Sequence, residues 1–180
     1  MSHWRYARAI LALPGLVLVG VPALILWQTQ SLRLGWDWPR PWLLVPILAG
    51  LILIGWGLRL MGQTIQLFMT VGQGTLAPWD APRRLVVLGP YRHVRNPMIS
   101  GVLAVLLGEA LLLGSRPLLT WFLIVLVVNL VYIPLLEEPG LEARFGDDYR
   151  LYRQHVPCWL PRRTPWSPLE DKYASTPGLR

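Results

Sequence analysis

Charge is the scarcest property of this chain. Aspartate, glutamate, lysine and arginine together supply 15% of its 180 residues, against about 25% in soluble globular domains, and that shortage excludes an ordinary water-solvated domain. Cysteine occurs once, at Cys158. A lone cysteine excludes an intramolecular disulfide framework and reads as a structural or incidental thiol rather than a nucleophile. Lysine is nearly absent as well: sixteen of the seventeen basic residues are arginine, Lys172 being the exception. That bias points to a GC-rich genome and a bacterial inner membrane.

What remains is apolar. Hydrophobic residues make up 53% of the chain and the mean hydropathy is +0.41. Ala9 to Trp27, Pro41 to Leu58 and Pro117 to Leu136 carry no charge, and Met98 to Ser115 carries only Glu109. Each run approaches the ~20 residues that cross hydrocarbon as a helix, the conformation that satisfies its own backbone groups in lipid. An all-α integral membrane protein is expected, with residues 1–160 as a single domain of about four transmembrane helices. The third run is the shortest and leaves a tilted crossing or a dip open. The first is too long for the apolar part of a signal peptide and lacks a clear cleavage site, so it reads as a mature helix.

Arginine sets the orientation. Arg5 and Arg8 precede the first run, Arg83, Arg84, Arg92 and Arg95 lie between the second and third, and Arg144, Arg150, Arg153, Arg162, Arg163, Lys172 and Arg180 follow the fourth; the opposite loops hold only Arg33, Arg40 and Arg116. Both termini and the central segment are therefore expected in the cytoplasm. The net charge of +7 follows from that topology and from attraction to anionic headgroups, and it implies no nucleic-acid partner. Most of the ten tryptophans fall at the ends of the runs, where an aromatic belt sits.

Between the crossings, Arg59 to Val71 reads as a helix emerging along the interface, and Gly72 to Arg84 as a loop dense in glycine and proline. Leu85 to Tyr91 reads as an extended stretch ending in a Gly-Pro turn. Asn96 is placed to be an N-cap and Pro97 a first helical residue. Tyr91, Arg92, His93, Arg95 and Asn96 crowd that helix start, a setting that favours an anion such as a carboxylate; the competing reading makes the arginines inside-positive anchors. Glu137 and Glu138 end the fourth run, where adjacent carboxylates require a cation. Arg92, Arg95, Arg144 or a cationic ligand would serve. Glu109 is expected to snorkel or to pair with Asn129 or Arg116.

After the Pro139-Gly140 break, Leu141, Phe145, Tyr149, Tyr152 and Val156 fall at helical spacing. This predicts a cytoplasmic amphipathic helix, on the membrane or packed as a lid over the loop before the third run. His155 reads as a surface or cap residue. Residues 161–180 lack periodicity and read as a disordered tail.

The two polar stretches carry a family resemblance. Gly89, Tyr91, Arg95, Asn96 and Pro97, then a hairpin, Glu137 and Glu138, and finally Phe145, Gly146, Tyr149, Tyr152, Val156 and Pro157 resemble the isoprenylcysteine carboxyl methyltransferase and phospholipid methyltransferase superfamily over residues 70–160. The resemblance implies an enzyme using S-adenosylmethionine, held at the cytoplasmic end of the last helices, to methylate a lipophilic or membrane-associated acceptor. That cofactor carries an ammonium, a carboxylate and a sulfonium. Glu137 and Glu138 suit its cationic end, Tyr91, Arg95, Asn96 and Pro97 its carboxylate, and Leu85, Val86 and Met98 its adenosine. Transfer in line needs positioning and exclusion of water, with no metal or covalent intermediate. His93 is the candidate base for an amine or neutral thiol acceptor.

Two positions depart from many relatives: Asn96 stands where they have histidine and Ile99 where they have tyrosine, and no arginine lies between Asn129 and Leu136. The acceptor is thereby left open among prenylcysteine carboxylates, thiols and lipids. A similar two-stretch pattern in membrane sterol reductases implies, alternatively, an NADPH-dependent reductase, and a non-enzymatic membrane accessory protein is the third reading.

Overall fold

The computed structural model describes residues 11–30, 34–39, 41–72 and 84–167, and these contain helices, turns and loops but no strand. A π-helical segment, Leu11–Gly20, leads into helix α1, Val21–Thr29. Helix α2 spans Leu44–Leu67 and runs on through a π turn at Phe68–Gly72. After the 3-10 turn Gly89–Arg92 come α3, Pro97–Leu112, and α4, Arg116–Tyr132. A π turn at Ile133–Glu137 joins α4 to α5, Glu138–Phe145, and α6 follows at Asp147–His155.

Among the described residues two helices, not four, are long and apolar enough to cross a membrane: Leu44–Gly72 and Arg116–Phe145. The apolar helices Pro14–Thr29 and Pro97–Leu112 are shorter. Pro97 and the left-handed Gly114 (φ 55°) bound α3 to 16 residues, or roughly 24 Å at the α-helical rise, short of a ~30 Å hydrocarbon core. The same two long helices overturn two boundaries expected from sequence. No proline lies between Leu58 and Gly72, so the hydrogen-bond ladder carries the second run into the segment expected to lie along the interface. Pro139 lies just past the π turn at Ile133–Glu137, inside the continuous Arg116–Phe145 helix, and does not end it. The break comes at Gly146, whose φ of 56° and ψ of −130° suit only glycine.

Packing follows residue size. Gly50 and Gly57 on α2 face Gly108 and Gly101 on the antiparallel α3. A Cβ on Gly57 would lie 2.6 Å from the Gly101 carbonyl oxygen, and one on Gly50 would lie 2.7 Å from that of Gly108. The two backbones touch there, as small residues permit between membrane helices. Ser115 starts α4, its hydroxyl accepting from the Leu118 amide, and Trp121 Nε1 donates to the Val17 carbonyl at 3.1 Å. Leu18, Met61, Val102, Leu106 and Val125 form the core between these elements. Leu48, Ile52, Leu123, Val127 and Val131 point outward and exposed, an apolar belt of the kind a membrane covers.

A second cluster lies beyond the bundle. Tyr149, Tyr152, Val156 and Trp166 are buried together, with Leu85, Val87, Leu141 and Phe145 packed against them. The face expected to be apolar in α6 thus covers the stretch before α3. Residues 161–167, expected to be disordered, instead pack in this cluster through Trp166. Residues 168–180, the other part of that expected tail, lie outside the described residues, as do most of the loop expected from Gly72 to Arg84 and the arginines Arg5, Arg8 and Arg83.

Candidate functional site

The hairpin of α3 and α4 brings the two polar stretches together. Arg95, two residues before Pro97, reaches Glu138 in the first turn of α5: Nε donates to Oε1 at 3.0 Å and Nη2 to the same oxygen at 2.6 Å. The pair is secluded, Glu138 being 2% and Arg95 10% exposed. Arg95 Nη1 donates to the carbonyls of Val156 at 2.8 Å and Arg153 at 2.9 Å. Arg153 closes the other side, its Nε 3.3 Å from Glu138 Oε2. This knot ties the start of α3, the start of α5 and the end of α6 to one carboxylate. Arg95 and Glu138, both expected to contact a ligand, are thus each other's partners.

Glu137 fares differently. Its side chain is half-buried and has no hydrogen bond or ion pair among the described residues, and its charge acts on the phenols of Tyr91 and Tyr149. Tyr91 is buried and stacks on Phe68 with ring centroids 5.6 Å apart. Burial, then Tyr152 and Glu137, hold the Tyr91 phenol well above its ordinary range. The phenol therefore stays a neutral donor. Tyr152 lies beneath, its hydroxyl donating to the Tyr91 carbonyl at 2.7 Å.

Asn96 occupies the N-cap position of α3 but makes no capping hydrogen bond through its side chain. The expected side-chain cap is therefore not made; the Asn96 amide nitrogen donates instead to Cys158 Sγ at 3.3 Å. Burial raises the Cys158 pKa, in keeping with an inert thiol. Pro97 opens α3, as its fixed φ suits. Leu85 packs with the Tyr149 cluster and Val86 is buried. Met98 packs instead on the bundle core, apart from those two.

His93 and Arg92 line a cleft of about 720 Å³ beside this knot. Its far wall is a stripe on α2, Gln63, Gln66 and Thr70, and Pro165 closes one end. Sequence reasoning passed over that stripe, as it did Arg153 and Arg162. The signal for the first lay in polar residues at spacings of three and four near the end of an apolar helix. Arg153 and Arg162 carried no signal beyond their charge.

The arrangement offers one carboxylate without a cation, a neutral phenol and a helix N-terminus, and separately an imidazole that lines a polar cleft, with no metal-ligating cluster among the described residues. Comparison with known proteins places it. Residues 45–148 match the phospholipid methyltransferase family. A 66-residue stretch is 41% identical to an uncharacterized protein of Haemophilus influenzae, covering 35% of this chain and 100% of that relative. No solved structure matches the chain. The family match takes in the Gly89–Pro97 stretch, both glutamates and the two long apolar helices, and on it the chain belongs to the phospholipid methyltransferase family, as a membrane protein of that methyltransferase class.

Proposed function

We propose that the protein transfers a methyl group from S-adenosylmethionine to a lipophilic or membrane-associated acceptor, a lipid, a thiol or a prenylcysteine-like carboxylate, at the cytoplasmic face of a bacterial inner membrane. The observation that carries this reading is the unpartnered Glu137 carboxylate beside buried Tyr91, within the family-matched segment. A half-buried carboxylate without a cation is costly, and the ammonium or sulfonium of the cofactor is the charge it lacks.

The residues fit the cofactor in a revised division of labour. Glu137 takes the cationic end. Tyr91, Asn96 and the free amides at the start of α3, behind Pro97, take the carboxylate. Arg95 and Glu138, engaged with one another, hold these groups in place rather than binding directly. Leu85 and Val86 offer apolar surface for adenosine, and Met98 serves the bundle core. When bound, the cofactor supplies an electrophilic methyl group. The protein's part is to orient the acceptor in line and to exclude water, for which the α6 lid over Leu85 and Val87 is suited. A carboxylate or thiolate acceptor attacks as it stands; an amine or neutral thiol loses its proton to His93.

Incubating the detergent-solubilised protein with methyl-labelled S-adenosylmethionine and, separately, bacterial lipid extract, prenylcysteine and small alkyl thiols tests the reading. Label is expected in one organic-extractable product, lost in Glu137→Gln. Protein that binds the cofactor yet labels none of these acceptor classes would contradict it.

A further inference from the structure

The chain from Pro161 to Ser167 lies beyond the family-matched residues, yet it is bonded to Arg92 and His93 by two reciprocal pairs. The Arg162 amide donates to the His93 carbonyl at 3.0 Å, and the Trp166 amide to the Arg92 carbonyl at 3.0 Å. In return, Arg92 Nε donates to the Trp166 carbonyl at 2.7 Å, and His93 Nδ1 meets the Arg162 carbonyl at 2.9 Å. A carbonyl oxygen accepts and never donates. The proton of the neutral imidazole therefore sits on Nδ1, and Nε2 carries the lone pair. Nε2 has no hydrogen-bond partner among the described residues, and His93 lines the cleft.

Trp166 secures the segment. Its side chain is 5% exposed, stacks on His155 at 5.1 Å with 12° between the planes, and lies 6.0 Å from Tyr152. Arg162 adds a bond from Nη1 to the His155 carbonyl at 2.9 Å. The segment forms no helix or strand of its own, so these contacts must offset the entropy of ordering it.

We infer that this segment is a positioning strap for His93. It selects the Nδ1–H tautomer and so leaves Nε2 as the proton acceptor at the cleft, with Arg162 in contact with the ring and Trp166 as the anchor. The inference rests on the reading of His93 as the general base; its test is a property of the ring rather than of turnover, so the two fail separately.

Nitrogen-15 spectra of histidine-labelled protein in detergent read the tautomer directly, with the His93 signal assigned by its loss in His93→Gln. Neutral His93 is expected to be Nδ1–H alone in the unaltered protein and in Trp166→Phe, and a mixture of tautomers in Trp166→Ala. Arg162→Pro deletes the amide that donates to His93 while keeping the anchor, and is expected to move the ring toward the same mixture. That second variant covers the case in which Trp166→Ala fails to fold. A ring protonated at Nε2 in the unaltered protein, or an Nδ1–H ring unchanged in every folded variant, would overturn the proposal.

Discussion

Glu137 and Glu138 are neighbours with opposite fates, and helix geometry separates them. Consecutive side chains on a helix point about 100° apart, so Glu138 meets Arg95 and Arg153 while Glu137 has no such partner and its charge acts on Tyr91. Removing one partner of a buried ion pair strands the other charge, at about 3–5 kcal/mol. Glu138→Gln is accordingly expected to cost about 3 kcal/mol in thermal or denaturant unfolding, whereas Glu137→Gln, which removes a half-buried charge without a cation, leaves stability undiminished. Arg153→Ala should cost under about 1 kcal/mol, because Arg153 is half exposed and solvent screens its contribution. Equal losses for the two glutamates would contradict the assignment. Sequence alone named Arg95 among the possible partners of the glutamates. It could not choose between an internal partner and a ligand, because charge complementarity along a chain carries no distances. Asn96 taught the same lesson, since its N-cap position was legible and the thiol that takes its amide was not.

The phenols extend this to pH. Burial holds the phenols of Tyr149 and Tyr152 above their ordinary range, so the folded protein keeps protons that the unfolded chain releases. Their stabilisation is complete below about pH 10, the unfolded value, and is lost as pH rises from there toward the folded values. Unfolding midpoints measured from pH 8 to 12 should fall above about pH 10, and less steeply in Tyr152→Phe. A curve unchanged by that substitution would count against it.

At the scale of elements, the contact between α2 and α3 rests on absent side chains. Gly57→Ala puts a carbon 2.6 Å from a backbone carbonyl, forcing the helices apart, and overpacking of this kind costs about 1–3 kcal/mol. Gly55→Ala, on the same helix with nothing within 4 Å of the added carbon, is the control and should be neutral or slightly stabilising. Retained stability in Gly57→Ala would show that the helices are not in backbone contact. The four apolar runs were legible because hydropathy is local. The length of α2, the shortness of α3 and the break at Gly146 were not, because each depends on where a hydrogen-bond ladder stops. The apolar spacing from Leu141 to Val156 did foretell a face that is buried in the structure.

The whole molecule divides into an apolar bundle and a polar cap. Lipid-facing residues on α2 and α4 surround the first, and α6 with the Pro161–Ser167 segment closes the second over the start of α3. A hairpin between two charged stretches was enough to foresee their meeting. The wrapping of residues 161–167 was not, since a segment rich in proline and charge has no periodicity to announce a packed face and is ordered by long-range bonds alone. Glu137 is the residue on which the proposed function rests, and equilibrium binding of S-adenosylmethionine to the detergent-solubilised protein, beside NADPH and beside Glu137→Gln, tests that role most directly. Saturable binding of S-adenosylmethionine, weakened tenfold or more, about 1.4 kcal/mol, in a variant of undiminished stability, is the expected result. No binding by folded protein, or binding of NADPH in its place, would contradict it.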